Sequence, residues 1–363
     1  MRIFYLMISE VKGVLNPSKT RPALLASFWF AGALLGLLLL SGCESESQPP
    51  VWTFSGETMG TSYHITVVEP GRDRRQGELQ KRIDRVLADV NQRMSTYLPD
   101  SELNRLNRAA TGQWLPVSEP LFQVLKISQE ISALSSGAFD ITVAELVNLW
   151  GFGPDKTDQE VPSPEVIAKA RQQMGYRNLQ LRPKPMSIRK HKPFQVDLSA
   201  VAKGYGVDRV AAELDSLGIA NYLVEVGGEL YVRGQSPRGN KWRIGVEAPS
   251  LMHTSAQKAI YVSGVGVATS GDYRNYFEVD GKRYSHTLDP TSGYPVTHTL
   301  ASVTVIAETS ARADALATAL NVLGQERALA LAEAEGIAAF FIVKNDTGFR
   351  EQYSSAFGAY LRQ

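Results

Sequence analysis

The 363-residue sequence has a single cysteine, Cys43. One thiol cannot close a disulfide within the chain, nor build a thiolate metal cluster. Charge of one sign is lacking too: 38 Lys and Arg stand against 37 Asp and Glu, a formal net charge of +1. That removes the basic field by which proteins hold nucleic acid. The five histidines have no metal-like spacing, so a histidine metal cluster is not expected. There is no GxGxxG turn, no Walker A loop, no internal repeat and no low-complexity tract. What remains is ordinary globular composition, 44% hydrophobic and 21% charged, enough for one large domain or two smaller ones.

The long apolar run sits at the N-terminus. Lys12, Lys19 and Arg21 precede Ala23 to Leu40, and Ser41-Gly42-Cys43 follows. This order of basic, apolar and small-residue segments is that of an export signal. It resembles a bacterial lipoprotein signal, with Leu40-Ser41-Gly42-Cys43 as the lipobox. The alternative is a transmembrane anchor, for which the run is marginally long enough. The expected division is a cleaved signal over 1–42, a lipidated Cys43 with a tether over 43–50, and a globular domain over 51–363. A lipidated Cys43 leaves no thiol for a nucleophile. The expected location is the inner membrane, lipid-anchored on the periplasmic side. The outer membrane stays open, because Glu44 gives no aspartate-type retention cue.

Within the domain, helical and strand patterns intermix, which points to an α+β fold rather than a regular βαβ array. Tyr63 to Val67 alternates like a strand, preceded by the small turn Thr58-Met59-Gly60-Thr61. Helical spacing covers Leu79 to Arg93, Pro120 to Leu134, Pro164 to Met174, Ala311 to Leu323 and Glu326 to Glu335. Trp150 to Pro164 reads as an exposed loop, and Gly266 to Asp272 as a turn. The Gly227-Gly228 pair suggests a bulge or a close backbone approach. Ala338 to Val343 and Tyr353 to Phe357 read as the last strands. Asp140 lies in an apolar run, where a lone charge is unfavourable unless paired, so it is either a site residue or a buried cap. Tyr97 can stack on a planar ring or be a half-buried tyrosine. His286 alone reads first as a hydrogen-bonded loop histidine and second as a catalyst.

Two stretches suggest chemistry. In Val196 to Gly206 a strand end, a tight turn and a helix start follow one another, with Ser199 as the expected cap. Lys203 stands near the helix start, where the macrodipole disfavours a cation. Gly204 and Gly206 are each unfavourable inside a helix by up to about 1 kcal/mol. A cation beside exposed N–H groups and side-chain-free surface suits a bound phosphate. In the second stretch, Asp314 and Thr318 are four residues apart and project from one side of a helix. Two such oxygens can hold Mg²⁺; the alternative is a solvated face.

Taken in order, these pieces resemble the ApbE family of bacterial flavin transferases. The resemblance runs from about Val51 to the C-terminus. Its motifs are Thr58-Met59-Gly60-Thr61, Met94-Ser95-Thr96-Tyr97, Gly137-Ala138-Phe139-Asp140 and Asp197-Leu198-Ser199-Ala200-Val201-Ala202-Lys203-Gly204. Val226-Gly227-Gly228-Glu229, His286-Thr287-Leu288-Asp289-Pro290 with Gly293, and Asp314 to Leu320 complete the set. The resemblance implies a single ApbE-like catalytic domain of mixed, largely antiparallel sheets with packed helices. It implies transfer of FMN from FAD to a Ser or Thr hydroxyl of an exported or membrane protein, with AMP released. By likeness to the family, Met59, Tyr97, Ala138, Phe139, Asp140, Asp197 and Lys203 line the FAD site. Mg²⁺ is held by the Ala200 carbonyl with Asp314 and Thr318, and His286 lies near the diphosphate. The glycines then serve the cofactor's close approach. For a base that takes the acceptor's proton, His286 is the first candidate and Asp289 the second. Expected acceptors are membrane subunits of ion-pumping NADH:quinone or ferredoxin-linked complexes. Two other readings stay open: a Mg²⁺-dependent FAD pyrophosphatase, and a flavin-binding lipoprotein without chemistry.

Overall fold

The computed structural model describes residues 49–71, 73–154, 160–247, 256–271, 275–346 and 348–362. The signal segment, Cys43 and Asp272 lie outside them. Two strands open the domain, β1 (Val51–Thr58) and β2 (Thr61–Val68). Then come α1 (Gln76–Met94), α2 (Glu102–Arg108), β3 (Trp114–Pro116), α3 (Glu119–Leu134), α4 (Ala144–Leu149) and α5 (Pro164–Gln173). The hairpin β4 (Leu179–Pro183) and β5 (Met186–Lys190) leads to α6 (Ala202–Ser216), β6 (Asn221–Val226) and β7 (Glu229–Arg233). Two further hairpins flank β10 (Val265–Gly271): β8 (Trp242–Glu247) with β9 (Ala256–Val262), and β11 (Tyr276–Val279) with β12 (Lys282–Ser285). The chain closes with β13 (Leu300–Ala307), α7 (Ser310–Leu323), α8 (Gln325–Ala334), β14 (Ala338–Asn345) and β15 (Gly348–Tyr353).

The main sheet has the order β1-β2-β6-β7-β10-β13-β14-β15, and every neighbour is antiparallel. Sheet order follows chain order, so each excursion leaves the sheet and returns beside the strand it left. This is the α+β arrangement read from the sequence. One face of the sheet is closed by α1 and α6: Tyr63, Ile65 and Val67 of β2 meet Leu79, Ile83 and Leu87 of α1 and Val207, Val210 and Leu214 of α6. The other face is closed by Trp242, Val246, Ile260, Val262 and Phe357. With both faces covered, β13 and β14 are buried along most of their length instead of alternating. Each aliphatic side chain so buried contributes about 1.5–3 kcal/mol.

Helix α7 is apolar nearly all round, because it is packed on several sides. Its start is wedged between α6 and β10. A Cβ at Gly204 would overlap the Ser310 carbonyl, and one at Gly266 would overlap the Ser310 amide. That close approach corrects two sequence expectations. Gly266 to Asp272 is not a turn: residues through Gly271 are strand β10, and the small residues there admit α7. Gly204 is explained by backbone packing rather than by a cofactor.

Three further expectations change. Trp150 is not in an exposed loop; it follows the unforeseen helix α4, is fully buried and donates from Nε1 to the Gly293 carbonyl at 2.9 Å. The Gly227-Gly228 pair makes no bulge; it is the two-residue turn of the β6–β7 hairpin, with φ of 62° and 109°. The last strand ends at Tyr353, and Ser355–Tyr360 is a 3₁₀ helix that seats Phe357 in the core.

Candidate active site

Helix α6 starts without a side-chain cap: Val201 occupies the cap position, and Ser199 does not fill it as the sequence suggested. Instead the Ser199 amide donates to Asp197 Oδ1 at 2.7 Å, a turn that Asp197 closes on itself. The amide of Gly204 donates to Asp314 Oδ2 at 3.1 Å. Gly204 is in the first turn, where amides have no intrahelical partner; the first such bond runs from the Tyr205 amide to the Val201 carbonyl. The relation is reciprocal, because Asp208 of α6 accepts from the amides of Ser310 and Ala311 at 2.7 and 2.9 Å. Each helix thus caps the first turn of the other, and both positive helix ends converge on one place.

Lys203 stands at that place. Its ammonium lies 2.8 Å from Glu229 Oε1 and 3.9 Å from Asp314 Oδ1. Glu229 is 4% and Asp314 5% exposed. Burial alone would discharge Lys203, but the Asp314 and Glu229 charges outweigh it and raise its pKa. Burial pushes the Glu229 carboxyl up to about 7, against the pull of Lys203. Asp314 is also raised, by burial, with Lys203 and the Gly204 amide opposing. Asp208 is pushed up to about 7 by burial, although the Ala311 and Ser310 amides favour its charged form.

Two buried carboxylates against one ammonium leave a net negative charge, which a divalent cation would neutralise. The donor set fits Mg²⁺, a hard ion that takes oxygen ligands. Asp314 is buried, half-buried Thr318 is one turn further along α7, and the Ala200 carbonyl lies just before the start of α6. Among the described residues no group of three or more His, Cys, Asp and Glu side chains forms a metal cluster. A mixed set of carboxylate, hydroxyl and carbonyl is therefore the candidate.

The other expected residues are placed as follows. Met59 and Gly60 form the β1–β2 turn, with φ of 50° and 73°. The Met59 side chain reaches α6, where its Cε would lie 2.8 Å from a Cβ at Gly206. The Met59 side chain thus lies over the open face of Gly206. Ala138 and Phe139 are buried, and the Asp197 amide donates to the Ile141 carbonyl at 2.8 Å. Asp140 is buried and paired: it accepts from the amide and hydroxyl of Thr142 at 2.8 and 2.7 Å, and from the Tyr176 amide at 2.8 Å. Burial raises its pKa while those bonds oppose. Tyr97 is 66% exposed, so its ring is open to a partner and is not the half-buried alternative.

His286 and Asp289 stand on the segment between β12 and β13. His286 Nδ1 lies 3.0 Å from the Asn275 carbonyl, and its ring meets Phe152 edge-on. A carbonyl only accepts, so Nδ1 carries a proton and is the donor. Asp289 Oδ1 accepts from the Thr291 amide at 2.8 Å and shapes the turn to Gly293. Tyr284, Phe277 and Tyr294 pack on Trp150 beneath this segment.

The ApbE family model matches residues 59–341. A Vibrio cholerae protein named FAD:protein FMN transferase is 45% identical over 330 residues, 91% of this chain and 98% of its own. The chain belongs to the ApbE family. The Escherichia coli K12 protein of the same name is 39% identical over 345 residues, 92% of this chain and 98% of its own. Among solved structures, the flavin transferase ApbE from Vibrio cholerae superposes with a TM-score of 0.80 at 43% identity, covering 86% of this chain and all of its own. The apo flavinyl transferase ApbE from Pseudomonas stutzeri gives 0.80 at 43% identity over 87% of this chain and 98% of its own.

Two residues of this ApbE chain escaped the sequence reading of its site. Glu229 ends the Val226-Gly227-Gly228-Glu229 motif, but no role at the site followed from that position. Asp208 follows Gly204 by four residues, which puts both on one side of α6. That spacing was legible; the partner helix was not.

Proposed function

We propose that the chain moves the FMN half of FAD onto a Ser or Thr hydroxyl of an exported or membrane protein and releases AMP, with Mg²⁺ as cofactor. The relatives' shared name supports the FAD donor and the protein acceptor. The observation that carries the reading is the convergence of Lys203, Asp314 and two helix N-termini on one buried place. Phosphoryl transfer depends mainly on positioning and charge stabilisation, and this arrangement supplies both. The acceptor oxygen forms a bond to the phosphorus on the riboflavin side, and the phosphoanhydride bond to AMP breaks. AMP takes the electron pair, and the hydroxyl proton leaves to a base.

Lys203 would hold the diphosphate as a fixed cation. The Ala200 carbonyl, Asp314 and Thr318 would hold Mg²⁺, which when bound supplies Lewis-acid charge neutralisation. Asp208 and Gly204 keep α6 and α7 in register so that these oxygens converge. Met59, Tyr97, Ala138, Phe139, Asp140 and Asp197 would line the flavin end, with Tyr97 offering an exposed ring for stacking. His286 is preferred over Asp289 as the base, since the Asn275 carbonyl orients its ring while Asp289 is engaged in its turn. The lipidated Cys43 would keep the enzyme at the periplasmic face of the membrane. There it would meet acceptors such as subunits of ion-pumping NADH:quinone or ferredoxin-linked complexes.

The test is direct. The protein is incubated with FAD, Mg²⁺ and a candidate acceptor domain, and the acceptor is read in a gel for flavin fluorescence. A fluorescent band that needs Mg²⁺ supports transfer. Free FMN and AMP with an unlabelled acceptor would make the chain a pyrophosphatase, and FAD left intact would make it a binder.

A further inference from the structure

The residue that sets up Lys203 is Glu229, and nothing in the family resemblance gave it a role. It is the first residue of β7, directly after the Gly227-Gly228 turn. That turn is anchored from both sides. The Gly227 amide donates to the Ser62 carbonyl at 3.0 Å, and the Gly228 amide to Glu225 Oε1 at 2.6 Å. Glu225 is in turn held by His64 Nδ1 at 2.9 Å. The Lys203 stem crosses Gly227 closely: a Cβ there would stand 3.2 Å from Lys203 Cδ and 2.8 Å from Thr61 Cγ2. Glycine is required at Gly227 both for its φ of 62° and for this passage. The hairpin turn therefore fixes where Glu229 is, and Glu229 fixes where the ammonium is.

An ammonium has three N–H donors. Glu229 Oε1 takes one at 2.8 Å, while Asp314 at 3.9 Å is beyond hydrogen-bond reach. Two donors remain for phosphate oxygens. Without Glu229 the nearest counter-charge is Asp314, and Lys203 would be drawn onto the carboxylate needed for the cation. Glu229 Oε2 is buried and has no partner, although buried carboxylate oxygens are nearly always bonded. Such an orphan suits a site completed by a donor that arrives with its ligand.

We propose that Glu229 is the positioning residue for Lys203: it holds the ammonium off Asp314 and aims its free N–H groups at the FAD diphosphate. This rests on the transferase reading of the same site. The test is a double-mutant cycle of FAD affinity, read by flavin fluorescence in EDTA so that no turnover occurs. Lys203→Met weakens binding about thirtyfold, and Glu229→Gln about tenfold. In the Lys203→Met background Glu229→Gln adds less than about twofold, because its effect runs through the missing ammonium. Losses that multiply in the double variant would overturn the proposal, as would Glu229→Gln binding FAD like the parent. A purely structural Glu229 gives the first of these results, with a lowered melting temperature in both backgrounds. If Glu229→Gln does not fold, Glu229→Asp enters the same cycle, with a smaller loss expected alone and none beside Lys203→Met; a loss in both backgrounds would again overturn it. A parent that binds no FAD, or a Lys203→Met variant that binds like the parent, would instead sink the reading of the site itself.

Discussion

The surroundings of Lys203 and those of His286 are built by different means. Around Lys203, charges are held by other charges and by backbone amides: Glu229 on the ammonium, Gly204 on Asp314, and Ser310 and Ala311 on Asp208. Every one of these contacts ties together two elements of the rigid sheet-and-helix body. Around His286, the support is aromatic. Trp150 is buried against Phe277, Tyr284 and Tyr294, and His286 itself is held by the Asn275 carbonyl and the edge of Phe152. A fixed field of charge suits a diphosphate, whose geometry changes little as it binds. A ring on an aromatic seat can be oriented by one hydrogen bond and still adjust to an incoming hydroxyl.

The sharpest break in that contrast comes from Asp314→Ala. It removes the proposed Mg²⁺ ligand and the acceptor of the Gly204 amide together, so Mg²⁺-dependent transfer should fall about a thousandfold while the far-UV spectrum stays that of a folded chain. Turnover unchanged at saturating Mg²⁺ would end the metal assignment. His286→Ala should act on the other region alone: kcat drops about a hundredfold, while the FAD affinity proposed to come from the Lys203 region stays within about twofold. Equal losses in kcat and affinity would show that the two regions are not separable.

Trp150→Phe tests the aromatic seat. It leaves the buried Gly293 carbonyl without its donor, which should destabilise the fold by about 2 kcal/mol, read by denaturant unfolding. FAD affinity should not follow. The smallest effect is a pH slope at Asp208. Its ordinary value of 3.8 is raised to about 7 in the folded chain, so between about pH 4 and 7 the folded state holds a proton that the unfolded state has released. That contribution to stability is fully present below about pH 4 and is lost as pH rises toward 7. Asp208→Asn removes the proton and flattens the slope, narrowing the difference in Tm between pH 5 and 7 by roughly 5 °C. The slope that remains belongs to Glu229, Asp140 and Asp314, which burial shifts the same way.

Much of the fold was legible where the pattern is local. The helical spacing from Leu79 to Arg93 specified α1, which the fold extends only to Gln76 and Met94. The misreadings arose where a distant element changed the meaning of a residue. Gly266 reads as a turn until the start of α7 is laid against it, and Trp150 reads as a loop aromatic until Gly293, 143 residues away, accepts its N–H.

The candidate site divides the same way. Lys203 near a helix start, and Asp314 with Thr318 on one helical side, could be read from spacing, because hydrogen bonding along a helix is local and leaves a period in the sequence. Tertiary structure alone decided that Glu229 would hold Lys203, that Asp208 and Asp314 would cap each other's helices, and that Met59 would lie against Gly206. Those pairings join residues from 26 to 147 positions apart. No periodicity records which of many acids a lysine will meet once the sheet has closed. The choice is made by burial, where an unpaired charge is too unfavourable to persist.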